Sequence, residues 1–170
     1  MRGVGGIVAL LVLAAAAAFA GGAAAQTGGA DPVMPDARVR QLLDQLKLKY
    51  SLTALKNYEV DFTLKDRRRQ TVFVNSNTET FGRQELRQVT STAFQVEGAL
   101  PADTANRLLE DNDRRKLGAW RTVRDGGKTY VIYAVQIPAQ TDPQTLEEAM
   151  DAARSTADAM EREVTGKDEF

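Results

Sequence analysis

Asp158 and Glu161 stand three residues apart, one turn of a helix, and paired carboxylates of this kind can carry acid–base or glycosidic chemistry. Glu147, Glu148 and Asp151 precede them on the same expected helix. The pattern also has a simpler use. Acids suit the first turns of a helix, and Asp158 and Glu161 can bond an arginine or backbone groups. The rest of the composition weighs against catalysis. None of the 170 residues is a histidine or a cysteine, which removes the usual general base, the usual activator of a serine and the commonest zinc ligands. Ser51, Ser76, Ser91 and Ser155 lie in no nucleophile motif. Asp111-Asn112-Asp113 lacks the spacing of a calcium loop. No catalytic residue, metal-ligand set or cofactor site is expected.

Two other groups could bind rather than react. Lys65, Arg67, Arg68 and Arg69 place four positive charges in five residues, enough to touch a polyanion or an acidic partner. The plainer alternative is a solvated hairpin tip. With 22 basic and 23 acidic side chains the net charge is −1, and no nucleic-acid partner is expected. Asn112, Gly118 and Trp120 sit where a helix gives way to a strand. They could form a recognition surface. They could equally set the corner, with Asn112 bonding turn backbone, Gly118 taking a positive φ and Trp120 filling the core.

The elements that must position these residues follow from periodicity. Val39, Leu42, Leu43 and Leu46 define one face of a helix over 36–48, with Asp36 as its N-cap. A turn around Tyr50–Lys56 leads to a strand in which Tyr58, Val60, Phe62 and Leu64 alternate with polar residues. The basic turn returns the chain as a strand over Gln70–Val74. Polar residues Asn75–Arg83 read as a loop, and Leu86–Val96 as a third strand. A second helix starts near Pro101, with Ala105, Leu108, Leu109 and Asn112 on one face. Trp120 opens a fourth strand, Asp125-Gly126-Gly127 a tight turn, and Thr129–Gln136 a fifth strand that is largely apolar on both faces. The third helix has Asp142 and Pro143 at its start, Gly166 as its stop, and a stripe of Leu146, Met150, Ala153, Ala157, Met160 and Val164. The order α-β-β-β-α-β-β-α predicts an α+β domain: an antiparallel five-stranded sheet with helices packed on one face.

Residues 1–25 carry one basic residue, Arg2, then an apolar, alanine-rich run ending in small residues. This reads as a signal peptide removed near Ala25, leaving an exported, periplasmic or extracellular protein with no stable membrane anchor. Residues 26–35 read as a flexible linker, and 36–170 as the domain.

Short patterns across 38–170 resemble the YbjN-domain family. They are Leu108-Leu109-Glu110-x-Asn112, Lys116-Leu117-Gly118-x-Trp120, Gln70–Val74, and Ala157-Asp158-x-x-Glu161 followed by Gly166-x-Asp168-x-Phe170. The resemblance implies the fold of type III secretion chaperones, often dimeric, in a family described as bacterial sensory-transduction regulators. It brings no catalytic residues. An export signal departs from the cytoplasmic members and puts a cytosolic role in doubt. The reading is therefore an exported, non-enzymatic protein-binding or regulatory module, with a homodimer through the sheet face or the third helix. The alternatives are a small-ligand sensor domain of the cell envelope and a carboxylate hydrolase built on Asp158 and Glu161.

Overall fold

The computed structural model describes residues 34–170; the expected signal peptide and nearly all of the linker lie outside them. Six strands form one antiparallel sheet: β1 (Ser51–Leu52), β2 (Tyr58–Thr63), β3 (Arg69–Phe81), β4 (Gln84–Glu97), β5 (Ala119–Asp125) and β6 (Lys128–Pro138). Their order is β1-β2-β3-β4-β6-β5. The three α-helices are α1 (Ala37–Gln45), α2 (Ala102–Arg114) and α3 (Pro143–Thr165). The first four strands meander. α2 then carries the chain past the position of β6, so β5 lies at the edge and the β5–β6 hairpin folds β6 back against β4.

The sheet therefore has six strands, not five. The additional one, β1, falls within the stretch read as a turn, and two exposed residues give no alternation to detect. A second difference is larger. The polar loop expected over Asn75–Arg83 is mostly paired strand, with Thr78↔Arg87 through Phe81↔Gln84 forming the arms of a hairpin that turns at Gly82 and Arg83. Its outer residues are exposed on both sides, so no buried face imposes a period of two. α1 ends three residues early because Lys47 adopts a positive φ of 56°.

α3 is the central helix. Asp142 caps it by accepting from the Thr145 N–H at 2.9 Å, and Gly166 ends it at φ 66°. Leu146, Ala149, Met150, Ala153 and Ala157 are wholly buried, packed over β3, β4 and β6. The alanines let the helix axis approach the sheet, while burying Leu146 and Met150 contributes about 1.5–3 kcal/mol each. Val164, at the end of the expected stripe, is exposed, and so is Leu109 on α2. Val60, Val72, Val74, Val89, Val131, Tyr133 and Val135 meet the helices in a single core with Val39 and Leu43 of α1. A bulge at Ala93 shifts the β4 register, so Thr92 pairs with Ile132 and Phe94 with Val131. Phe94 thereby joins the core on the helix side.

Candidate functional site

The α2–β5 corner is built by three side chains. The Asn112 carboxamide oxygen accepts from the Trp120 N–H at 2.6 Å, and its nitrogen reaches the Trp120 carbonyl at 3.5 Å. One side chain thus satisfies both outward-facing backbone groups where the edge strand begins. The Trp120 indole N–H donates to Asp111 at 2.7 Å, and its ring meets Tyr133 edge-on, with centroids 5.0 Å apart. Arg115 holds both Asp111 oxygens, at 2.7 and 3.0 Å. Burial alone would raise the Asp111 carboxyl's pKa, but Arg115 and the indole overcome it and hold it below the usual range. Gly118 has φ 82°, and a Cβ there would lie 2.7 Å from the Tyr133 ring and 2.8 Å from the Ala134 carbonyl. Asn112, Gly118 and Trp120 are thus committed to the corner.

The basic turn and the acidic pair, separate candidates in the sequence, meet each other. Asp66 and Arg67 take positive φ values of 61° and 62°, which aims the next residue back over the C-terminal turns of α3. Arg68 donates from Nε to Asp158 at 2.5 Å, from Nη2 to Glu161 at 2.9 Å and from Nη1 to the Lys167 carbonyl at 2.6 Å. Its side chain is 11 % exposed and that of Glu161 is 1 % exposed. Arg68 is therefore not a free charge for a polyanion, while Lys65, Arg67 and Arg69 remain exposed. Glu161 also accepts from the Glu169 N–H at 2.6 Å. Burial pushes the Glu161 carboxyl above its ordinary pKa despite those donors. Asp158, Glu161 and Asp168 bring carboxylate oxygens within 4.8 Å of one another, close enough to hold a metal ion. The Arg68 guanidinium lies among them, bonded to Asp158 and Glu161 and 4.0 Å from Asp168.

A second arginine cluster has no counterpart among the sequence expectations. Arg87 on β4 is 1 % exposed. It donates to the Asn75 and Ser76 carbonyls and, at 2.5 Å, to Asp36. Asp36, the α1 N-cap, also accepts from Arg38, which forks onto Glu85 at 2.7 and 2.8 Å. Burial would raise the Asp36 carboxyl's pKa, but the two guanidiniums hold it far below the carboxylate range; Arg38 lowers that of Glu85 to about 2. An arginine inside an alternating strand gave only a weak signal, because its partners lie 11 to 51 residues away.

The remaining feature is the other face of the sheet, which the described helices leave open. Glu59, Phe73, Thr90, Ala134 and Ala119 pair in one row across five strands. Thr92, Ile132 and Arg121 form the next, and Gln95, Tyr130 and Val123 another. Arg121 donates to Gln88 at 3.0 Å across this face. Of the apolar members, Phe73, Ala134, Tyr130 and Val123 are half-buried and Ile132 is buried.

Neither a protein-family profile nor a curated protein matches the sequence. In structure the chain is similar to the crystal structure of YbjN, a candidate transcription regulator from E. coli. The TM-score is 0.48 at 11 % identity, covering 75 % of this chain and 90 % of that one.

Proposed function

We propose that this chain is a non-enzymatic protein-binding or regulatory module that associates through the open face of its sheet. The observation that carries the reading is the apolar band Phe73–Ala134–Tyr130–Val123, set in threonines and glutamines on a face that none of the described helices covers. Such a face, apolar at its middle and polar around it, suits reversible association better than a permanent core. The carboxylates that a hydrolase would need are bonded to Arg68 and to backbone, which favours a binding role. The alanine-rich segment 1–25 supports export as the setting for this activity.

A photoreactive residue placed at Thr90, in the central row, tests the reading in cells. Adducts with protein should form there and should be lost when Ala134→Arg is added. A control probe at the exposed Ser155 on α3 should give none. Adducts absent at Thr90, or equally strong at both positions, would overturn the proposal. Cell fractionation tests export separately, and a cytoplasmic protein that keeps residues 1–25 would exclude it.

A further inference from the structure

In its two central rows the open face of the sheet carries charge only at the sides. Tyr58 and Val60 of β2 point to the helices, so Glu59 and Asp61 project from the open face, and Arg121 does the same from β5. Asp61 accepts from Thr71 at 2.8 Å and Arg121 donates to Gln88 at 3.0 Å; among the described residues neither they nor Glu59 make an ion pair. Side-chain size is patterned as well. Phe73 on β3 and Ala134 on β6 stand in one row, one on each side of Thr90 on β4.

A face that is acidic along one side and basic along the other, with a bulky and a small position placed evenly about β4, is complementary to itself. We propose that the open face binds a second copy of this chain, the two sheets stacked about a two-fold axis that runs along β4. This rests on the association reading above and names its partner. The strand order sets β2 of one copy over β5 of the other and β3 over β6, with each row kept level. Asp61 then faces Arg121 of the second copy, Arg121 faces its Asp61, and each Phe73 lies over the other copy's Ala134. Aligned sheets stack about 10 Å apart, which lets such side chains interdigitate. An axis across the strands would instead lay β2 on β2 and oppose carboxylate to carboxylate. The axis along β4 also brings like ends together. Arg87 points to the helices, so the next pairs along the hairpin, Glu79 with Leu86 and Phe81 with Gln84, lie on the open face. Phe81 is 79 % exposed, and in the pair both copies bring Phe81 and Leu86 to the same end. At the opposite end Glu97, on β4 near the axis, is already paired with Lys128 at 3.6 Å.

Sedimentation equilibrium of the full chain tests this. A monomer–dimer equilibrium is expected, with a Kd on the order of micromolar. Asp61→Arg and Arg121→Asp, both at exposed positions, should each weaken the dimer about tenfold or more with an unchanged circular dichroism spectrum, because each sets like charges together at two symmetric contacts. Combined in one chain, the two swaps restore opposite charges and should return the Kd to within about threefold of the parent. The proposal is overturned if the chain stays monomeric at concentrations on the order of hundreds of micromolar, if the single swaps leave the dimer unchanged, or if the double swap is as weak as the singles. Crosslinking at Thr90 separates this failure from that of the association reading. Adducts with other proteins beside a monomeric chain would keep the open face as a binding surface and remove the second copy as its occupant. A dimer that responds to the swaps, with Thr90 adducts of twice the chain's mass, supports both readings.

Discussion

Glu161 shows how a buried charge can sit among favourable partners and still weigh on the fold. Its carboxylate accepts from Arg68 and from the Glu169 N–H, yet burial raises its pKa above the ordinary 4.5. Between the unfolded and the folded value, the native protein holds a proton that the unfolded chain has released. Stability therefore falls as pH rises through that window, and the deficit is complete above the folded pKa. Asp36, Glu85 and Asp111 have the opposite sign. Their folded values are lowered, so their contribution is present above ordinary carboxylate pKa values and is lost as acid titrates them, for Glu85 down to about 2. Glu161→Gln should accordingly be no less stable than the parent in urea unfolding near pH 7. Any advantage should vanish as the pH falls below about 4. A loss at neutral pH as large as that of breaking a buried ion pair, about 3–5 kcal/mol, would contradict this account.

At the scale of elements, the α2–β5 corner turns on Gly118. A β-carbon there would meet the Tyr133 ring, the Ala134 carbonyl and Val135 Cγ2 within 2.9 Å, at a φ that L-residues avoid. Gly118→Ala combines that strain with overpacking and should cost about 2–4 kcal/mol, read as a lower urea midpoint with unchanged slope. Ala99, in the connection before α2, makes a neutral reference site. The corner was legible in the sequence because glycine, tryptophan and asparagine each have few roles at such a junction. Helices and core strands were legible for a similar reason: Leu146 to Met160 and Val131 to Val135 repeat with the period of their element. Reading failed where burial imposes no period. β1 and the outer arms of the β3–β4 hairpin are mostly exposed, so backbone pairing leaves no alternation of buried and exposed side chains there to read.

Over the whole molecule, the side-chain clusters that went unread share one property: they depend on residues brought together from far apart. The sequence shows four basic residues in a turn and two acids on a helix, but not that Arg68 reaches Asp158 across 90 positions. Nor does it show that Arg87 and Arg38 fasten α1 to the hairpin through Asp36 and Glu85. The open sheet face was half legible, since Thr129–Gln136 is apolar on both sides. Among candidate site residues, Asn112, Gly118 and Trp120 are placed together at one corner, while Asp158 and Glu161 are joined to Arg68.

The reach of the Arg68 cluster carries a consequence for the order of folding. Its acceptors lie 90 to 99 residues away, so closing it requires β3 and the last turns of α3 to be in place already. Contacts of such long separation bring large loop-closure entropy and form after the local hairpins. Arg68→Ala should therefore leave the refolding rate nearly unchanged and speed unfolding, with a φ-value near zero in stopped-flow measurements. A φ-value near one would instead place this end of the molecule in the folding nucleus. On this view the cluster acts as a late fastening: it adds little to how quickly the chain finds its fold and much to how long it keeps it.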